Sequence, residues 1–142
     1  MKHFLSRLDH ERIVAGIRDA ESRTTGEIRA HVTRRKPPDI EAAARARFEK
    51  FGMARTAERN GVLFYICPNQ RRFRILGDAG VHEKCGDDFW QEVAAAMEEK
   101  FRRGHFTDGL LEGIARVGDV LARHFPRKSG DKNELSDEVT ED

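Results

Sequence analysis

Apolar positions recur along the chain with two different periods, and the switch between them gives the order of elements. Ile13, Val14, Ile17 and Ala20 make one stripe at helical spacing, with Asp9 placed as a cap, so residues 9–24 are predicted to be a helix. Thr25 and Gly26 stop it. Ile28, Ala30 and Val32 then alternate with Glu27, Arg29 and His31, the period of two that marks a strand with one buried face. Pro37, Pro38 and Asp39 open a second helix, whose apolar residues Ile40, Ala44, Phe48 and Phe51 end near Gly52. A charged turn over residues 57–60 leads into VLFYIC, residues 62–67, an uninterrupted apolar run suited to a central strand covered on both faces.

Residues 68–71 read as a turn, and residues 73–76 return as an antiparallel strand that ends in the loop Gly77-Asp78-Ala79-Gly80. Gly86 and Asp87 begin a third helix, with Asp87 as its expected N-cap and Phe89, Trp90, Val93, Met97 and Phe101 on its apolar face. After Gly104, Thr107 or Asp108 starts a fourth, carrying Leu110, Leu111, Ile114, Val117, Leu121 and Phe125. Gly113 and Gly118 inside that helix each cost about 1 kcal/mol of propensity, which points to close packing against a neighbour. The expected fold class is α/β: a three-layer α/β/α sandwich with a small mixed sheet of three to five strands and about four main helices. A strand–helix–strand unit favours a parallel right-handed crossover, and the hairpin adds the antiparallel member. The domain is expected to span residues 1–126. Residues 127–142, polar and acid-rich, read as a flexible tail in which Leu135 and Val139 are the only residues suited to dock.

Composition adds restraint rather than direction. The chain has 142 residues, 38% apolar and 36% charged, with a formal net charge of +1. That describes one folded domain with a heavily charged surface and removes the bulk electrostatic argument for nucleic acid or anionic lipid. The basic runs Arg34-Arg35-Lys36 and Arg71, Arg72, Arg74 hold only Phe73 as an interleaved aromatic, so nucleic-acid binding through the second run is a weak third reading. The N-terminal segment is too charged for a signal peptide, and no run of about 18 apolar residues occurs, so a cytoplasmic protein without membrane insertion is expected. Two cysteines are too few for a disulfide framework. Cys67 falls in the core strand; Cys85 precedes the expected third helix, where a helix dipole lowers a thiol pKa or where it serves as a half-buried packing residue. His3, His10, His31 and His124 lie in separate elements without metal-ligand spacing and read as solvated or capping groups.

P-loop, nucleophile-elbow, HExxH and EF-hand patterns are absent from the sequence. The densest chemistry lies in GDAGVHEKCGDD, residues 77–88, where Asp78, His82, Glu83, Asp87 and Asp88 sit between a strand end and a helix start. Ligands of α/β sheets collect at such edges, and oxygen-rich loops suit Ca²⁺ or Mg²⁺. Asn60, before the central strand, and Asp108, at the last helix, are expected to face the same edge. The same glycines and acids also serve as turn formers and caps.

These residues carry a resemblance. Asn60-Gly61 before the central strand, the basic return strand, the glycine pair Gly77 and Gly80 with Asp87 seven residues on, Phe106-x-x-Gly109-Leu110, and Thr25-Gly26-Glu27-Ile28 occur in the order seen in the TPM domain family. The resemblance spans residues 9–126. It implies an α/β/α fold, divalent-cation binding, and, from a plant member, acid phosphatase activity. Carried to this chain, it implies Asn60, Asp78 and Asp87 as metal ligands, with His82 and Asp108 behind them, and no organic cofactor. Many members carry an export signal and a glycine-rich or transmembrane tail; this chain resembles the short cytoplasmic branch, with Asp78-Ala79 where others have an aromatic between the glycines. The expected function is a binding or accessory module, a monomer with a protein partner still to be named. The alternative is a weak metal-assisted phosphatase in which a bound water attacks phosphorus.

Overall fold

The structure, a computed structural model, describes residues 8–127 and 139–142. Helix α1 (His10–Glu21) is capped by Asp9, whose carboxylate accepts from the Arg12 amide at 3.1 Å, and it leads to strand β1 (Glu27–Val32). Asp39 caps helix α2 (Ile40–Lys50) in the same way, through the Ala42 amide at 3.1 Å. A 3₁₀ turn (Met53–Arg55) precedes strand β2 (Gly61–Cys67), and a second one (Pro68–Gln70) turns the chain into β3 (Arg72–Gly77). Helices α3 (Ala79–Cys85), α4 (Asp87–Arg102) and α5 (Phe106–His124) follow, and β4 (Val139–Glu141) completes the sheet.

The four strands lie in the order β3-β2-β1-β4. β1 runs parallel to both β2 and β4, while β2 and β3 pair antiparallel, so the sheet is mixed, as expected. One face packs Ile28, Ala30, Val32 and Phe64 against α1, α4 and α5 through Ile17, Met97, Leu110 and Ile114. The other packs Leu63, Tyr65, Cys67 and Leu76 against α2 through Ile40, Ala44 and Phe48. Helices on both faces make the three layers. The buried run of β2 follows from this, since every one of its residues meets a helix on one side or the other.

Register decides where loops meet. Glu27 of β1 is opposite Gly61 of β2, and Val62 of β2 is opposite Gly77 of β3. The chain therefore enters β1 and β2 and leaves β3 at a single rim. Helix α5 ends at this rim too, where the Phe125 carbonyl accepts from the Thr25 amide at 3.0 Å, and so it begins at the opposite one. A Cβ at Gly113 would lie 2.5 Å from Met97 Sδ, and one at Gly118 2.7 Å from Ala20 Cβ; both glycines let α5 pack closely on its neighbours.

Four expectations are corrected. Residues 79–85 form the two-turn helix α3 where an open loop is expected, because the Asp78 carboxylate caps the Ala79 amide at 2.8 Å and the residue's backbone carbonyl accepts from the Val81 and His82 amides, each at 3.0 Å. Asp87 is the first residue of α4 and not its cap, a position taken by Gly86 at φ +75°. β1 is buried on both faces, with Glu27 and His31 covered as fully as the apolar residues between them. Residues 139–142 do not behave as a free tail: Val139 pairs with Ala30 and Glu141 with Val32. Residues 128–138, including Leu135, lie outside the described residues.

Candidate functional site

The rim shared by β1, β2 and β3 holds most of the residues singled out above. The Asp78 amide donates to the Gly61 carbonyl at 2.9 Å, and the Gly80 amide to the Arg59 carbonyl at 2.9 Å, so the turn before β2 and the turn after β3 are bonded side by side. Gly80 is required by this approach: a Cβ there would stand 2.2 Å from the Glu58 carbonyl oxygen. Asn60 lies beneath, 1% exposed. Its backbone N–H donates to Thr56 Oγ1 at 3.1 Å, and its side-chain Nδ2 donates to Thr25 Oγ1 at 3.0 Å. Thr25 in turn donates to Glu58. Asn60 Oδ1 is buried and has no hydrogen-bond partner among the described residues.

Asp78 is held more firmly than its sequence suggests. One carboxylate oxygen accepts from Arg59 Nε at 2.7 Å, and the other from Arg59 Nη2 at 2.8 Å and from the Ala79 amide. The carboxylate is 7% exposed while the guanidinium is 54% exposed, a fork-to-fork pair with its acid inside and its base at the surface. The pairing raises the Arg59 pKa, through the hydrogen bond first and the charge second. Arg59 was not among the residues expected at the site. Its signal in the sequence is faint, a cation before Asn60-Gly61 in a turn whose backbone takes φ 53° at Arg59.

Asp78, His82 and Asp87 line a groove of about 630 Å³ that also takes in Arg59, Arg74 and Trp90. His82 Nε2 is 3.5 Å from Asp87 Oδ1, with both side chains largely in solvent. Asp108 belongs elsewhere. It opens α5 at the opposite rim and pairs with Arg12 at 2.9 Å, so four of the five candidates share one edge and the fifth does not. Among the described residues no three His, Cys, Asp or Glu side chains come together as a ready-made metal group. Neither thiol is activated: burial pushes Cys67 up to about 11, and burial raises Cys85, which closes α3 and stands just before the Gly86 cap of α4, as expected.

Comparison with known proteins now bears on this arrangement. The model of the TPM domain matches residues 1–120. The chain belongs to the TPM domain family. The BA42 protein from the psychrophilic bacterium Bizionia argentinensis is similar at 36% identity, over 96% of each chain, with a TM-score of 0.89. The fold also resembles the N-terminal domain of a P. gingivalis protein (22% identity, 80% of this chain and 76% of that one, TM-score 0.64) and that of cg2496 from Corynebacterium glutamicum (14%, 92% and 82%, 0.63). No curated protein gives a significant match. No helix among the described residues is long and apolar enough to cross a membrane. The TPM domain thus accounts for the order of the quoted motifs, and the rim is where most of them converge.

Proposed function

We propose that this TPM domain is a binding module whose ligand edge is the Asn60–Asp78 rim, and that a divalent cation competes with Arg59 for the Asp78 carboxylate there. The observation that carries the reading is the asymmetry of the pair: a buried acid neutralised by an exposed, withdrawable guanidinium. A carboxylate and a carbonyl oxygen are the donors that Ca²⁺ and Mg²⁺ prefer, and Asn60 Oδ1 on the same rim has none of its bonding capacity spent among the described residues. Competition with a bidentate guanidinium makes the affinity weak, on the scale of exposed single-carboxylate sites rather than of an EF-hand. The family model carries the word phosphatase in its name. Hydrolysis asks for a nucleophile or a general base aimed at the groove; the cysteines are held as thiols, and Asp78 is committed to Arg59, so binding is the better-supported activity.

Thermal unfolding in Ca²⁺ or Mg²⁺ tests this. The proposal expects the midpoint to rise with cation concentration in the wild-type chain and to be insensitive to it in Asp78→Asn. An Asp78→Asn protein that responds like the wild type would refute the assignment.

A further inference from the structure

The basic run Arg34-Arg35-Lys36 takes no part in the Asp78 rim, yet the fold gives it a place of its own. After β1 the chain turns back along α2, and this turn, one flank of α2 and Tyr65 of β2 enclose a hollow of about 320 Å³. The turn is held at three points. The Thr33 amide donates to the Ile66 carbonyl at 2.9 Å, Asn69 Nδ2 to the Arg34 carbonyl at 2.7 Å, and Gln70 Nε2 to the Pro37 carbonyl at 2.9 Å. The backbone that carries Arg35 and Lys36 is therefore preorganised. Helix α2 supplies the facing wall. Ala43, Ala46, Arg47 and Lys50 recur at spacings of three and four and so share one face, where the alanines leave room and the cations border it.

Arg35, Lys36, Arg47 and Lys50 line this hollow, and no acidic side chain among the described residues does. Arg47 is 16% exposed, lies 5.7 Å from the Phe51 ring centroid and reaches Asp142. Arg35, Lys36 and Lys50 are exposed, and none of them makes an ion pair or a side-chain hydrogen bond with another described residue. Cations on the other flank of α2 are matched, since Arg45 and Arg74 share Glu41. Three unmatched cations around a hollow at the small end of ligand sites are complementary to a compact, multiply charged anion. A phosphate group offers two charges and several acceptor oxygens in that space, where a carboxylate offers one charge.

We infer that this hollow binds a phosphate dianion, free or as the head of a small phosphomonoester, through Arg35, Lys36 and Lys50, with Arg47 beside them. The site is separate from the Asp78 rim and does not depend on the reading given to that rim. Nucleic acid is a poorer fit, because the ring that lines the hollow, Tyr65, is buried and stacked on His31 with centroids 5.7 Å apart, and so offers no face to a base.

Inorganic phosphate is the probe, titrated into the full chain at constant ionic strength and followed in the backbone amide spectrum. Saturable shifts centred on residues 34–37 and 43–50 are expected, with residues 77–82 unmoved. The double variant Lys36→Gln, Lys50→Gln, both exposed and outside the core, should keep the wild-type thermal midpoint and weaken binding by about tenfold or more, as loss of charge-assisted bonds does. Phenyl phosphate separates the two sources of the ligand: affinity above that of inorganic phosphate assigns the hollow to a monoester, and equal or lower affinity assigns it to the free anion. Shifts that fail to saturate or that gather at residues 77–82, a double variant that binds as the wild type does, or acetate that matches phosphate would overturn the inference. So would a single-stranded RNA oligonucleotide that binds more than tenfold tighter than phosphate with a footprint running on to Arg71 and Arg72, since the cations would then belong to a track for a phosphate backbone.

Discussion

Gly80 and Arg59 show how much of the Asp78 rim is decided by single residues. A methyl group at position 80 meets a backbone oxygen, which cannot swing aside as a side chain can, so the two turns must separate. Gly80→Ala is expected to cost about 1–3 kcal/mol, the usual penalty of forced overpacking, read from the urea midpoint at unchanged slope. Arg59→Ala leaves the Asp78 carboxylate inside without its partner and should lower the midpoint. The same substitution made in an Asp78→Asn background should have little effect, and the double-mutant cycle measures the difference. If the single and double backgrounds respond alike, the pair is not coupled. Asp78 and Asn60 were legible in the sequence because turns advertise themselves through glycine, asparagine and aspartate. Arg59 was not, because its role depends on which of many arginines the fold brings against one particular acid.

Strand β4 matters most at the scale of elements. It lies on the free edge of β1, and its attachment is polar. His31, 1% exposed, bonds Thr140 Oγ1 through Nδ1 at 2.7 Å and comes within 3.2 Å of Asp142 Oδ1 through Nε2, an approach of charge rather than an aligned hydrogen bond. Arg47 of α2 also reaches Asp142. Burial lowers the His31 pKa, assisted by the Arg47 and Arg29 charges and opposed by Asp142. Burial alone would raise Asp142, but the Thr33 hydroxyl, His31 and Arg47 together bring it below its ordinary value. Both groups bind protons less readily folded than unfolded, so each contributes stability that is whole above its unfolded pKa and is lost as pH falls through the folded one. Stability should therefore drop on acidification from pH 7 toward pH 5, through His31 first, and amide exchange should accelerate in Val139–Glu141. His31→Gln should flatten that part of the pH profile; a profile unchanged by the substitution would contradict this assignment. The sequence could not reveal the latch. An alternating strand with a histidine on its polar face reads as half-exposed until another strand is known to cover its edge, and a three-residue strand within a polar, acidic stretch has too little apolar pattern to register.

For the molecule as a whole, the layered architecture was the most legible property, because helices and strands differ in period and β2 is apolar throughout. The placement of the two cores on opposite faces follows from that alternation and from right-handed crossover. Phe64, at the centre of the sheet against Met97 and Gly113, is the residue on which one of those cores closes. Phe64→Ala should cost about 3–5 kcal/mol, seen as a lower thermal midpoint. What pattern could not supply was the rim to which Asp108 belongs, since a helix start carries no mark of which sheet edge it will face. That the Asn60 and Asp78 turns share one rim while Asp108 stands at the other is a property of register and of helix direction.

A Ca²⁺ titration followed in the backbone amide spectrum of the wild-type chain and of Arg59→Gln tests the latched-acid account most directly. The account predicts saturable shifts at residues 58–61 and 77–82, none around Asp108, and tighter binding in the variant because the competing guanidinium is gone. Shifts that gather at Asp108, or a variant that binds no better than the wild type, would contradict it.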